Sequence, residues 1–261
     1  MSTTYVSQTQ YGKNEDFTLQ IARGQIQGHK SLFKFGNNPD INGLIEAVWS
    51  NSSPYVYPTT AIQMQVSSSS ANDAALGTGA RIVSVQGLDQ NYNEIAETIT
   101  LTGQTAVLTT TTFIRVFRAF VLTAGSSGTA AGTIYIGTGT VTAGVPATIY
   151  AEIPVGENQT LMALWTVPAG YTLYINRATF SAASNNAAQY VLGKFVIRPF
   201  GGVFRNAFDI TVNSNVFSYE FNTPLVAREK SDIEAQAIAL SGTNFYVTAS
   251  FEGTYIKNTT D

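Results

Sequence analysis

The sequence predicts an all-β protein built as an antiparallel β-sandwich. Three observations carry this: apolar and polar residues alternate over long runs, turn-forming residues recur at short intervals, and helical periodicity is nearly absent. From Ile95 to Thr102 the apolar Ile95, Ile99 and Leu101 share one face with Glu97, and Ala96, Thr98, Thr100 and Thr102 make the other. The longest alternation closes the chain: Phe245, Val247, Ala249, Phe251, Gly253 and Tyr255 against Tyr246, Thr248, Ser250, Glu252 and Thr254. Gly87-Leu88-Asp89-Gln90-Asn91, Ala124-Gly125-Ser126-Ser127-Gly128, Val167-Pro168-Ala169-Gly170 and Phe200-Gly201-Gly202 punctuate the runs as turns.

In chain order, residues 1–45 carry strands or turns mixed with polar loop and read as an N-terminal arm or irregular segment. Pro39 to Trp49 is a helix candidate, with Ile41, Leu44, Ile45 and Val48 at the spacing of one helical face. A loop leading into a strand fits it equally. Residues 46–150 form a β region rich in Ser, Thr and Gly. Residues 151–261 are more aromatic and hold about eight strand-like runs, Gln159–Val167, Tyr171–Ala182, Tyr190–Pro199, Asn206–Asn213, Val216–Phe221, Pro224–Ala227, Asp232–Leu240 and Phe245–Tyr255. Eight strands suit a jelly-roll-like sandwich.

Composition removes whole classes of function. The 261 residues include no cysteine and one histidine, His29, so thiolate chemistry, Cys-containing zinc sites and two-histidine metal sites are excluded within one chain. Charged residues are 12 % and the formal charge is −3, which gives no electrostatic footprint for nucleic acid. No signal-peptide pattern opens the sequence, and no run of roughly eighteen apolar residues is present to span a membrane.

The candidate chemistry is sparse. Asp232 and Glu234, two apart on a strand, share a face and form a candidate acid–base pair. With Ile233, Ala235 and Ala237 pointing inward, that face is expected to be wet, where a carboxyl keeps an ordinary pKa. Glu94 and Glu97 fall on opposite faces. Asp89, Asn91 and Asn93 have the first spacings of a calcium loop but lack its glycine and final glutamate, so they are expected to make a hairpin turn. Gly137-Thr138-Gly139 with Gly144 matches no phosphate loop, and Gly28-His29-Lys30-Ser31 shows no nucleophile elbow. No catalytic residue, cofactor or metal is therefore expected, and the chain is not expected to be an enzyme.

Several segments carry a resemblance: Ser67-Ser68-Ser69-Ser70-Ala71-Asn72-Asp73, Gly77-Thr78-Gly79-Ala80-Arg81, Gly87 to Ile95, Glu97 to Gly103, Gly132 to Gly139, Val167 to Tyr171, Arg198-Pro199-Phe200-Gly201 and Lys230 to Glu234. Together, over roughly residues 50–257, they resemble virion structural proteins of tailed phages, marine and cyanobacterial ones especially. The resemblance implies a capsid-decoration, head-fibre or tail role without choosing between them, and the expected location is the virion, on the capsid surface, after synthesis in the host cytoplasm. The expected function is capsid decoration, a cement protein that binds the major capsid protein and associates with itself as a homotrimer. The alternative is a head-fibre or tail protein that binds a host receptor or glycan.

The residue chemistry agrees with assembly. Neutral hydroxyls and amides replace charge, which lets subunits dock without burying unpaired ions. Aromatics beside arginines are the types enriched at interfaces. The expected interface residues are Phe17, Leu19, Ile21 and Ile26 of the arm, Phe113, Arg115, Phe117 and Arg118 of the middle region, and Phe204 and Arg205.

Overall fold

The first strand among the described residues pairs with the last. In this computed structural model, which describes residues 15–184 and 189–259, β1 (His29–Ile41) runs antiparallel to β16 (Phe245–Lys257) from His29↔Ile256 to Asn38↔Val247. β16 also pairs with β11 (Tyr171–Ala183), and β11 with β14 (Val216–Ala227), completing a four-stranded sheet in the order β1-β16-β11-β14. A second sheet has the order β10 (Leu164–Thr166), β15 (Asp232–Ala239), β12 (Val191–Arg198), β13 (Arg205–Val212). The two-residue β2 (Glu46–Ala47) extends the β10 edge along β15. Between the sheets lie Trp165, Phe180, Phe195, Phe245 and Phe251, all fully buried. β1 packs over β10, β16 over β15 and β14 over β13.

A smaller sandwich is inserted between β2 and β10. Its sheets have the orders β6-β3-β8-β9 and β5-β4-β7, from β3 (Ile62–Ser68), β4 (Ala80–Leu88), β5 (Glu94–Thr100), β6 (Val107–Phe113), β7 (Arg115–Ala124), β8 (Ile134–Thr142) and β9 (Val145–Ile153). Met64, Val66, Val83, Val85, Phe113, Ile134 and Ile136 fill its core. The chain enters and leaves this insert at one place: Trp49 bridges Met162, and Ala163 N–H donates to the Val48 carbonyl at 2.9 Å. Gly36 of β1 sits against the crossing, where a Cβ would lie 2.6 Å from the Val48 oxygen. Only glycine admits that approach.

The all-β class and the antiparallel pairing are as the sequence predicts, and β5 and β16 bury the faces expected of them. The domain plan differs. Residues 29–41 are a core strand instead of part of an irregular arm, and residues 1–14 lie outside the described residues. Among the described residues of 151–261 there are seven strands, β10 to β16, because the two runs of 216–227 join into one with Pro224 inside it. Proline is tolerated there because β14 is an edge strand. The eighth strand of the larger sandwich is β1.

No helix forms over 39–49. β1 continues through Pro39 and Asp40 with a register shift, Ile41 and Val48 are buried, and Leu44 and Ile45 are exposed. Instead α1 spans Phe17–Ala22, capped by the Asp16 carboxylate, which accepts from Thr18 N–H at 2.8 Å and Leu19 N–H at 3.2 Å. The turns follow their residues. Asp89 accepts from the N–H groups of Asn91 and Asn93, and the β8–β9 hairpin turns on Ala143 and Gly144 with φ of 50° and 82°.

Candidate functional site

The seam between the two sandwiches holds the densest group of buried charge among the described residues. β15 has the insert on one side and the aromatic core on the other, so both of its faces are covered. Asp232 and Glu234 are therefore buried, which corrects the expectation of a wet face. The carboxylate of Asp232 is shared. Its Oδ1 accepts from Arg115 Nε at 2.8 Å and from the Thr166 hydroxyl at 2.6 Å. Its Oδ2 accepts from Arg115 Nη2 at 3.2 Å and from Arg198 Nε and Nη2 at 3.0 and 2.6 Å. Arg115 starts β7 of the insert and also donates to the carbonyls of Pro58 and Ile114. Burial works against its charge, and Asp232 overcomes that cost and holds its pKa above the ordinary value.

Glu234 faces the connecting segment instead. It accepts from the Tyr57 hydroxyl at 3.0 Å and from the Gln236 amide at 3.1 Å. Burial pushes its carboxyl up to about 7, and these two donors, with Arg198, pull against the rise. Burial also raises Tyr57 well above a free phenol, with the carboxylates of Glu234 and Asp232 adding to the shift. The Tyr57 ring lies under both guanidinium groups, 4.9 Å from that of Arg115 and 4.3 Å from that of Arg198. The Phe204 ring, 5.8 Å from that of Tyr57, also lies 4.6 Å from the Arg198 guanidinium. Every oxygen of the acid pair thus has a protein partner, and the arrangement clamps the insert to the larger sandwich.

Two further contacts cross the seam. Lys34 of β1 reaches the Phe117 carbonyl of β7 at 2.5 Å, and burial, with Arg118 nearby, lowers its ammonium pKa to about 7. Glu94 of β5 pairs with Lys30 and accepts from the Tyr255 hydroxyl at 3.0 Å.

The expected interface residues separate into three groups. Phe17 and Leu19 lie on the outer side of α1, 56 % and 49 % exposed. Arg118 and Arg205 are also exposed, with the Arg118 guanidinium over the Phe120 ring. Ile26, Phe117 and Phe204 are half-buried, Phe117 against Trp165 and Phe204 against Tyr57. Ile21, Phe113 and Arg115 are buried within the chain and are corrected here: Ile21 faces inward from α1, Phe113 fills the insert core, and Arg115 belongs to the clamp.

The structure adds surfaces that the sequence reasoning passed over. Phe33 of β1 is 61 % exposed, and beside it a cavity of about 430 Å³ is lined by Phe35, Asn37, Leu161, Thr179, Thr248 and Ser250. The second surface is the aromatic group Phe208, Phe217, Tyr219 and Phe221 on β13 and β14. Their signal was the alternation itself: aromatics two apart at 33 and 35, and at 217, 219 and 221. Among the described residues, no group of three or more His, Cys, Asp or Glu is placed to hold a metal ion.

No family model matches this chain, and no curated protein does. Solved structures of infectious bursal disease virus are similar over most of its length. The Gx strain structure is 11 % identical with a TM-score of 0.25, covering 88 % of this chain and 71 % of that one. The VP2 subviral particle is 10 % identical with a TM-score of 0.21, covering 89 % and 73 %. At such scores the likeness carries no argument about function.

Proposed function

We propose that this chain is a phage virion structural protein that decorates the capsid and cements its shell. The observation that carries the reading is α1 with its surroundings. This short helix buries Ile21 but turns Phe17 and Leu19 outward, and Phe33 stands exposed on the neighbouring β1. Apolar side chains gathered at one site on a charge-poor surface suit coverage by a larger assembly. The partner is the major capsid protein, and copies of the chain associate as a homotrimer on the capsid surface. Cementing acts by mass action: a protein that binds only the assembled shell stabilises it against rupture.

We read the larger sandwich as a jelly roll. Counting its eight strands along the chain, the sheets have the orders 1-8-3-6 and 2-7-4-5, which supports that reading, with the smaller sandwich inserted between strands 1 and 2. Jelly rolls serve capsids and lectins alike, so the fold does not choose the role.

A second reading, a head-fibre or tail protein that binds a glycan, is favoured by the cavity beside Phe33. Its aromatic rings and neutral hydroxyl and amide groups suit the apolar face and hydroxyls of a sugar. Cryo-electron microscopy of intact particles tests both readings. Icosahedral copies on the shell, with Phe17, Leu19 and Phe33 covered by capsid, support cementing. Density restricted to the tail or to projecting fibres replaces it with attachment.

A further inference from the structure

β14 ends its sheet: β11 pairs with one of its edges, and the other has no strand partner among the described residues. An open edge presents a row of peptide N–H and C=O groups on which another strand can form, and natural edges are commonly guarded by lysines, by bulges or by being short. β14 runs for twelve residues without a lysine or arginine; its pairing with β11 is regular from Val216 to Glu220, and the bulge and Pro224 that interrupt it come after that run. Its segment Phe217-Ser218-Tyr219-Glu220-Phe221 is nearly a palindrome about Tyr219. The three aromatics point to one side of the strand. They form a ladder with Phe208 of β13, which lies parallel to Phe217 and Tyr219 at 6.0 and 5.2 Å and edge-on to Phe221. Tyr219 remains 43 % exposed within this ladder.

We propose that β14 pairs antiparallel with β14 of a second copy of this chain, across a two-fold axis through Tyr219, joining the two sheets into one. A palindromic edge is what an isologous contact requires, because each residue must suit its own mirror position. In this register Phe217 lies opposite the second copy's Phe221, and the two Tyr219 residues face each other, so each ladder continues into the other. Glu220 falls opposite the second copy's Ser218. Centring the axis on Glu220 instead would set two carboxylates face to face, which opposes that register. Pro224 lies beyond the paired residues 216–222, where its missing N–H is not needed. The inference stands apart from the virion reading: the homotrimer proposed there forms on the capsid surface, whereas this two-fold contact joins two free copies in solution.

The absence of cysteine makes the test direct. Residues opposite each other in an antiparallel pair have Cα atoms about 4.5–5.5 Å apart, within the span of a disulfide. Under mild oxidation Tyr219→Cys is expected to give a covalent dimer faster than Leu76→Cys, placed on an exposed loop. In sedimentation across a concentration series the parent chain is expected to form a dimer. Tyr219→Lys, which sets two ammonium groups at the axis, is expected to be monomeric with an unchanged far-ultraviolet spectrum. A parent chain that stays monomeric, or a mass that Tyr219→Lys leaves unchanged, overturns the proposal. So does Tyr219→Cys cross-linking no faster than Leu76→Cys, and that comparison decides alone if Tyr219→Lys fails to fold.

Discussion

The two ends of the larger sandwich carry similar strands in opposite surroundings. At one end β1, β10 and β15 lie under the insert, and Lys34, Asp232 and Glu234 are buried with partners. At the other end β13 and β14 have open edges, and aromatic side chains there are half-exposed. Charge is buried where a second body covers the strand, and rings against the core stay half-exposed where none does. A residue's surroundings here are set by what covers its strand, more than by its own polarity.

The largest effect is expected from Asp232→Ala, which leaves the buried Arg115 and the half-buried Arg198 without their shared carboxylate. Breaking such a cluster costs about 3–5 kcal/mol, readable as a lower urea midpoint. If Asp232→Ala unfolds with the parent, the covered end is not held by its clamp. Gly36→Ala is expected to cost about 1–3 kcal/mol as an overpacked contact, because the new methyl meets the Val48 and Met162 backbone at the crossing. A thermal melt like that of the parent would show that the insert connections yield freely.

The covered end also has a pH signature. The Glu234 carboxyl is at about 7 against an ordinary 4.5, so between those values the folded state binds the extra proton and stability falls as pH rises. Lys34 is at about 7 against an ordinary 10.5, so between 7 and 10.5 the unfolded state binds the extra proton and stability rises with pH. The two groups together place a trough in stability near pH 7. Glu234→Gln is expected to flatten its acid side, and Lys34→Met its alkaline side, in urea titrations across pH. Slopes that both variants leave unchanged would show that these groups are not buried in solution. The smallest effect belongs to the bare end: Asp209→Ala, exposed on β13, is expected to stay within about 0.5 kcal/mol of the parent.

This contrast also explains what was legible in the sequence. β5 and β16 have an apolar face toward a core and a polar face away from it, and their alternation could be read directly. β1 alternates just as regularly, but with Phe33 and Phe35 on the outer side and Lys34, Gly36 and Asn38 buried. Its buried residues meet backbone and polar groups of the insert and its connections: the Phe117 carbonyl for Lys34, the crossing for Gly36, Glu46 and Ala47 for Asn38. Polarity therefore pointed the wrong way, and the segment read as an arm. β15 failed for the same reason, since a face covered by another sandwich and a face covered by water have the same alternation. Of the expected interface residues, Phe17 and Leu19 on α1 turned out exposed. Arg115 did not, because its partner lies 117 residues away.

The pairing of β1 with β16 sets the order in which the molecule can be completed. β1 is made before the insert, and among the described residues its one strand partner, β16, is made after the other strands of the sandwich. The insert, whose strands join neighbours close in sequence, has the contacts to fold while synthesis continues. Through that interval β1 carries Phe33 and Phe35 on a strand with no sheet to join, the kind of exposed edge on which nascent chains aggregate. The larger sandwich closes only when the final strand arrives, so a chain cut short before residue 245 retains its insert and lacks the strand that joins β1 to the rest of its sheet.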